Sequence, residues 1–177
     1  LAHYRHYADD PSHRAMSDLL ANLCFWEDEI PRDGALNMAL DEVMLESARV
    51  PWLRIYRWDA PTVSIGFSQP VTVVPDQFRK YPVVRRWTGG GVVVHDGDWT
   101  YTLAIPRQDG AGGLTPGQTY QWIHASMISA LTDAGIGNCE LQNVSTSDGM
   151  GVCFVEPARH DVVRQGRKIA GHNEGIE

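Results

Sequence analysis

Arg85-Arg86-Trp87-Thr88-Gly89-Gly90-Gly91-Val92-Val93-Val94-His95-Asp96 sets three consecutive glycines between a basic pair and a valine run. Gly-Gly-Gly is entropically poor inside a helix or strand, so its use is to let a ligand approach the backbone closely. The valines predict a buried strand, with Val92 and Val94 on one face and Val93 and His95 on the other. No Gly-Lys-Ser/Thr follows, so this is not a Walker loop, and the spacing of a dinucleotide fingerprint is absent.

Working outward, the flanks read as short strands. Leu53, Ile55 and Arg57 alternate with Arg54, Tyr56 and Trp58; Val63, Ile65 and Phe67 alternate with Thr62, Ser64 and Gly66, after a turn at Asp59-Ala60-Pro61. Downstream, Trp99, Tyr101, Leu103 and Ile105 alternate with Thr100, Thr102 and Ala104. With the Gly97-Asp98 turn, residues 92–105 are expected to form a hairpin. A second hairpin is expected within Val152 to Gly171, turning at Gln165-Gly166.

Two long helices complete the pattern. Asp33 or Gly34 caps the first, in which Leu36, Leu40, Val43, Met44 and Ala48 recur at helical spacing before Pro51. Thr115 caps the second, with Pro116 at its first position and Tyr120, Ile123, Met127, Leu131 and Ala134 lining its buried face, until Gly135. Met16, Leu19, Leu20 and Leu23 suggest a further amphipathic helix, and Gln108 to Gly113 a loop. Strands in runs with inserted helices predict an α+β fold, a mixed and mainly antiparallel sheet flanked by helices, rather than a Rossmann fold.

Composition narrows the functional class. The chain has 177 residues, 43% hydrophobic and 21% charged, which suits one globular domain with a real core. A net charge of −7 disfavours a general nucleic-acid binder but leaves room for a local basic patch at Arg79, Lys80, Arg85 and Arg86. No apolar run approaches the roughly 20 residues needed to span a bilayer, so no membrane role is expected. The N-terminus, Leu1 to His6, carries no apolar signal segment. Cys24, Cys139 and Cys153 are an odd set without a C-x-x-C pair, which predicts neither a disulfide framework nor a metal site and suits a reducing cytoplasm.

Several side chains are candidates for chemistry, each with a plainer reading beside it. Lys168, two residues after the Gln165-Gly166 turn, either points into the sheet toward the glycine loop or is a solvated hairpin lysine. Cys153, between Val152 and Phe154, is an inert core thiol unless a cation such as Lys168 or His95 favours its thiolate. Arg85 and Arg86 either bind a carboxylate or phosphate or are solvated strand ends. His95 is expected to donate a hydrogen bond near the ligand while Asp96 ties down the turn, since adjacent strand residues face opposite ways. Gln69 bonds either a ligand or a loop.

Together these pieces resemble the biotin/lipoate ligase superfamily, in its lipoate–protein ligase and octanoyltransferase branch. The resemblance rests on four ordered segments: Leu36-Asn37-Met38-Ala39-Leu40-Asp41-Glu42; Tyr56-Arg57-Trp58 with Pro61 to Gln69; the Arg85 to Asp96 signature; and Gly166-Arg167-Lys168-Ile169-Ala170-Gly171. It covers about residues 25–171 and leaves residues 1–24 as an unassigned extension, with a catalytic domain over 25–177. It implies a lipoyl or octanoyl tunnel built by Arg85, Arg86, Thr88, Gly89, Gly90, Gly91, His95, Gln69 and Gly171. Lys168 would stabilise charge on the acyl carbonyl oxygen.

Two reactions divide this branch. Val152-Cys153-Phe154 with Glu156-Pro157, fifteen positions ahead of Lys168, is similar to the cysteine-type octanoyltransferases, which implies an octanoyl thioester on Cys153 drawn from acyl carrier protein. The alternative is an ATP-dependent ligase forming lipoyl-AMP, for which ATP and Mg would be needed; otherwise no tightly bound cofactor is expected. Either would deliver the acyl group to a lysine of lipoyl carrier domains of the 2-oxoacid dehydrogenase or glycine-cleavage type. A third reading is a non-catalytic subunit that requires a partner. After Gly171 the chain departs from the family pattern, reading His172-Asn173-Glu174-Gly175-Ile176-Glu177, so a C-terminally truncated domain is expected.

Overall fold

The computed structural model describes residues 20–106, 116–143 and 159–171. In chain order the elements are β1 (Cys24–Glu27), α1 (Gly34–Ser47), β2 (Trp52–Arg57), β3 (Thr62–Ile65), β4 (Val83–Arg85), β5 (Val93–His95), β6 (Trp99–Ala104), α2 (Pro116–Asp133), β7 (Cys139–Leu141), β8 (Val162–Arg164) and β9 (Arg167–Ala170). They belong to two compact units. The first takes the described residues up to Asp59 and those from Asp98 through β6; the second takes Ala60–Gly97 and the described residues from Pro116 onward.

In the first unit β2 is the middle strand of a three-stranded sheet, parallel to β1 and antiparallel to β6. Asp33 caps α1, its Oδ1 accepting from the Leu36 backbone N–H at 2.9 Å. The inward residues of α1 differ from the expected apolar stripe. Asn37 and Met38 are buried, while Leu36 and Val43 are 41% and 58% exposed.

The cause lies on β2, where Arg54 is fully buried. A buried guanidinium is tolerated only when paired and hydrogen-bonded, and α1 meets that demand with its polar edge. Arg54 Nη1 donates to Asp41 Oδ1 at 2.9 Å, and Nη2 donates to Asn37 Oδ1 at 2.7 Å and Asp28 Oδ2 at 2.9 Å. The guanidinium also lies 3.9 Å over the Tyr56 ring, and Tyr56 Oη donates to Asp41 Oδ2 at 2.9 Å. Asn37 Nδ2 reaches the carbonyls of Arg32 and Arg57. The Leu36–Glu42 segment therefore holds this unit together.

The second unit contains two three-stranded sheets, β4-β3-β5 and β7-β8-β9. β3 runs parallel to β4 and antiparallel to β5. Val63, Ile65, Val74 and Val92 form its core, with Val83 and Val94 packed against them. Val92 and Val94 thus share a face, and Ser64 and His95 meet on the other, as the alternation predicts.

The hairpin expected over 92–105 does not form. β5 pairs with β3, whereas β6 pairs with β2 in the sheet of the first unit. The turn is not of type I′, which needs two consecutive positive values: Gly97 has φ +81 but Asp96 and Asp98 stay at negative φ. The second hairpin has them, with Gln165 at φ 52 and Gly166 at φ 74 between antiparallel β8 and β9.

α2 ends as expected, Gly135 at φ +82 with Ile136 N–H bonded back to the Leu131 carbonyl. Of its expected buried face Tyr120 is buried, Ile123, Met127 and Leu131 are half-buried and Ala134 is exposed, while His124, outside that set, is fully buried. Four of the six described strand pairs are antiparallel, so the mixed, mainly antiparallel α+β reading stands. The expected N-terminal helix is not seen at Leu20–Asn22, a single 3-10 turn ahead of β1; its Met16–Leu19 part, the expected 108–113 loop, the Thr115 cap, Cys153 with its neighbours, and the chain after Gly171 lie outside the described residues. Among the described residues no helix is long and apolar enough to cross a membrane.

Candidate active site

The glycine loop and Lys168 both belong to the second unit. The loop is built against the turn that leaves β3. A Cβ placed on Gly66 would run into the Gly90 carbonyl oxygen, with the Gly89 carbonyl 3.1 Å away. Two backbones close here, which only glycine permits. Gln69 fixes the same turn, its Oε1 accepting from Gly66 N–H at 2.9 Å while its own N–H donates to the Gly66 carbonyl at 3.0 Å.

Arg85 and Arg86 hold the two sides. Arg85 Nη1 donates to the carbonyls of Gly66, Phe67 and Gln69 at 3.0, 2.7 and 2.6 Å. Arg86 is buried; its Nη2 donates to the carbonyls of Gly89 and Gly91 at 3.0 and 2.8 Å, and its Nη1 to Ser64 Oγ at 2.7 Å. Ser64 Oγ lies 2.8 Å from His95 Nε2. A guanidinium only donates, so Ser64 Oγ accepts from Arg86 while also bonding the His95 ring. The Thr88 carbonyl accepts from Phe67 N–H. Phe67 and Trp87, with ring centroids 5.8 Å apart, stand half-exposed beside this seam.

The lysine is set by the β8–β9 hairpin. Val163 pairs with Lys168, and a bulge shifts the register so that Val162 pairs with Ala170; bulges re-aim side chains in this way. The Lys168 side chain is 6% exposed, and its Nζ lies 2.8 Å from Oδ2 of fully buried Asp161. Tyr120 Oη, from α2, donates to Asp161 Oδ1. A Cβ on Gly171 would strike Lys168 Cε and Nζ, so the glycine leaves the bed in which the amine lies.

Behind this group, the buried His124 ring sits 4.4 Å from that of Tyr120, and His124 Nδ1 donates to the His160 carbonyl at 2.6 Å. Burial pushes His124 and His160 below the ordinary histidine value. His160 itself has φ 71, uncommon for a residue with a Cβ.

The solvated-hairpin reading of Lys168 is therefore set aside: its amine is buried and paired. Gly171 touches it, and Arg85, Arg86, Gln69, Thr88, Gly89, Gly90, Gly91 and His95 are gathered at the loop. Cys153 lies outside the described residues. Sequence reasoning missed Asp161, Tyr120, His124 and Ser64. Asp161 was open to inference, because a lysine folded inward needs a carboxylate within reach and Asp161 directly precedes the partner strand. Nothing local marked Tyr120, which comes from a helix 41 positions away from Asp161. Among the described residues no group of three or more His, Cys, Asp or Glu side chains is placed to hold a metal ion.

Residues 33–173 match the lipoyl protein ligase A/B catalytic domain. The chain belongs to this family. Octanoyltransferase LipM of Oceanobacillus iheyensis is 34% identical over 150 residues, covering 80% of this chain and 55% of its own length. LipM of Halalkalibacterium halodurans is 32% identical over 155 residues, covering 79% and 56%. The chain thus spans about half the length of the curated relatives it matches. Among solved structures, Ta0514 of T. acidophilum with bound lipoic acid superposes with a TM-score of 0.64 at 21% identity, covering 88% of this chain and 62% of that one. LipL1 of P. falciparum, in complex with lipoate, gives 0.51 at 16% identity, covering 82% and 41%. These two likenesses establish the lipoate protein ligase-like fold.

Proposed function

We propose that this member of the lipoyl protein ligase A/B family transfers an octanoyl group from acyl carrier protein to a lysine of lipoyl carrier domains, in a reducing cytoplasm. The reading is supported chiefly by the buried ammonium of Lys168, paired with Asp161 and bedded on Gly171, in a chain whose relatives are octanoyltransferases. The Cys153 thiolate attacks the thioester carbonyl, and the oxyanion that forms is met by Lys168 Nζ. The carrier thiolate leaves, giving octanoyl-Cys153. The amine of the target lysine then attacks, the Cys153 sulfur departs and takes up the proton that the nitrogen loses, and an amide remains. A preorganised cation in a water-poor site stabilises such an oxyanion far better than solvent does, and two acyl transfers replace one harder step.

The arginine-clamped loop supplies the rest. Its glycines leave backbone, without side chains, beside a medium-length acyl chain, and clamping by Arg85 and Arg86 keeps that surface in shape.

Incubation with octanoyl-acyl carrier protein, followed by intact-mass measurement, is expected to show a single octanoyl adduct. It should vanish in Cys153→Ala and fall by about 100-fold or more in rate in Lys168→Ala. Lipoate-dependent pyrophosphate release that survives Cys153→Ala would instead assign the ATP-dependent ligase reaction.

A further inference from the structure

We propose that Tyr120 and Asp161 are positioning residues for Lys168: a hydroxyl on α2 fixes one oxygen of a buried carboxylate, and the other oxygen fixes the catalytic amine. This rests on the assignment of Lys168 to the acyl site made above. The geometry has three parts. Asp161 is fully buried and has a donor on each oxygen, Tyr120 Oη on Oδ1 and Lys168 Nζ at 2.8 Å on Oδ2. Gly171 closes on Lys168 Cε and Nζ, with its Cβ direction also 3.0 Å from Asp161 Oδ1. Tyr120 is itself held by the buried His124 ring, 4.4 Å away, which is tied to the His160 carbonyl just ahead of Asp161.

A lysine carries four rotatable bonds and would sample many positions around an acyl carbonyl. Here the amine is limited to a small arc by one anion and one glycine. A carboxylate held by one contact can swing. Held at both oxygens it cannot, so α2 is coupled to the reacting amine through Asp161. Misplacement of a catalytic group by about 1 Å costs up to about 100-fold in rate, which sets the expected scale.

The test uses the full chain with octanoyl-acyl carrier protein and single-turnover acylation of Cys153. Tyr120→Phe keeps the ring against His124 and removes only the hydroxyl; it is expected to lower the acylation rate about 10-fold with little change in the concentration giving half-maximal rate. Asp161→Asn is expected to lower it about 100-fold. The double variant should be no slower than Asp161→Asn alone, because Tyr120 acts through Asp161.

A second readout does not depend on turnover. The chain contains only two lysines, Lys80 and Lys168, and Lys80 is exposed. Labelling with trinitrobenzenesulfonate and mass spectrometry therefore gives Lys168 reactivity against an internal reference. At fixed pH that ratio should be higher in both variants than in the parent, because the amine is less firmly held against Asp161.

Parent-like rates and labelling in both variants would overturn the proposal even if Lys168→Ala is inactive. Full multiplicative losses in the double variant would overturn the coupling. If Lys168→Ala is as fast as the parent, the acyl-site reading fails, while a variant-sensitive labelling ratio still reports the Tyr120–Asp161–Lys168 contact. Should Asp161→Asn not fold, Tyr120→Phe alone decides both readouts.

Discussion

Gly66 and Gly171 show how much depends on a missing side chain. Both sit where another group occupies the space a Cβ would take, but the neighbours differ. At Gly171 the neighbours are side-chain atoms, the Lys168 amine end and Asp161 Oδ1, and at Gly66 it is the Gly90 carbonyl, which cannot step aside without moving the loop. Gly66→Ala is therefore expected to destabilise the protein by about 1–3 kcal/mol, the usual cost of overpacking, seen as a lower urea midpoint with unchanged slope. Gly171→Ala should slow acylation by displacing the Lys168 amine, and should also lower stability, because that amine is one end of a buried ion pair. Equal midpoints for Gly66→Ala and the parent would show that the loop seam is loose. The glycine loop itself was legible from Gly89-Gly90-Gly91. Its partner was not, since a lone Gly66 ahead of Phe67 carries no mark of the backbone that packs on it.

At the level of elements, the sequence read best where the rule is local. The α1 cap, the α2 stop at Gly135, and the β8–β9 turn all follow from one or two residues. It misread α1's inward face because Arg54 overrides the apolar stripe. Substituting Arg54→Leu alone would leave the largely buried Asp41 without its cation and Asp28 with Arg32 alone, and a loss of about 3–5 kcal/mol is expected in urea denaturation. The β8–β9 turn offers a gain in the other direction. Gln165 occupies φ 52, a left-handed conformation that glutamine adopts reluctantly and asparagine tolerates. Gln165→Asn restores the Asn-Gly pair that type I′ turns favour and should raise stability by about 0.5–1 kcal/mol, or a few degrees in thermal midpoint. A fall in the midpoint would mean that the Gln165 side chain contributes more than its backbone strain costs.

Across the whole molecule, charge was legible as a sum but not as a set of roles. The basic cluster at Arg79, Lys80, Arg85 and Arg86 reads as a patch for an anion. In the fold, Arg79 pairs with Asp76, and Arg85 and Arg86 clamp loop carbonyls. The titrating groups that shape stability lie elsewhere. His124 and His160 are held below the ordinary histidine value by burial, so between their folded values and about 6.5 the unfolded chain binds more protons than the folded one. Their stabilising contribution is complete above about pH 6.5 and is lost as pH falls through the folded values. Asp28, lowered chiefly by its hydrogen bond from Arg32, adds a loss in the same direction but only below the ordinary aspartate value of 3.8. Asp41 is raised by burial and works the other way, gaining stability as pH falls from its raised value toward 3.8. A decline that begins near neutrality therefore belongs to the histidines. His124→Asn keeps an N–H able to reach the His160 carbonyl and removes the titration. Calorimetry at pH 7.5 and pH 5.5 is expected to show a smaller drop in thermal midpoint for His124→Asn than for the parent, reduced but not abolished because His160 remains. Identical drops would place the acid sensitivity of this fold outside the His124 cluster.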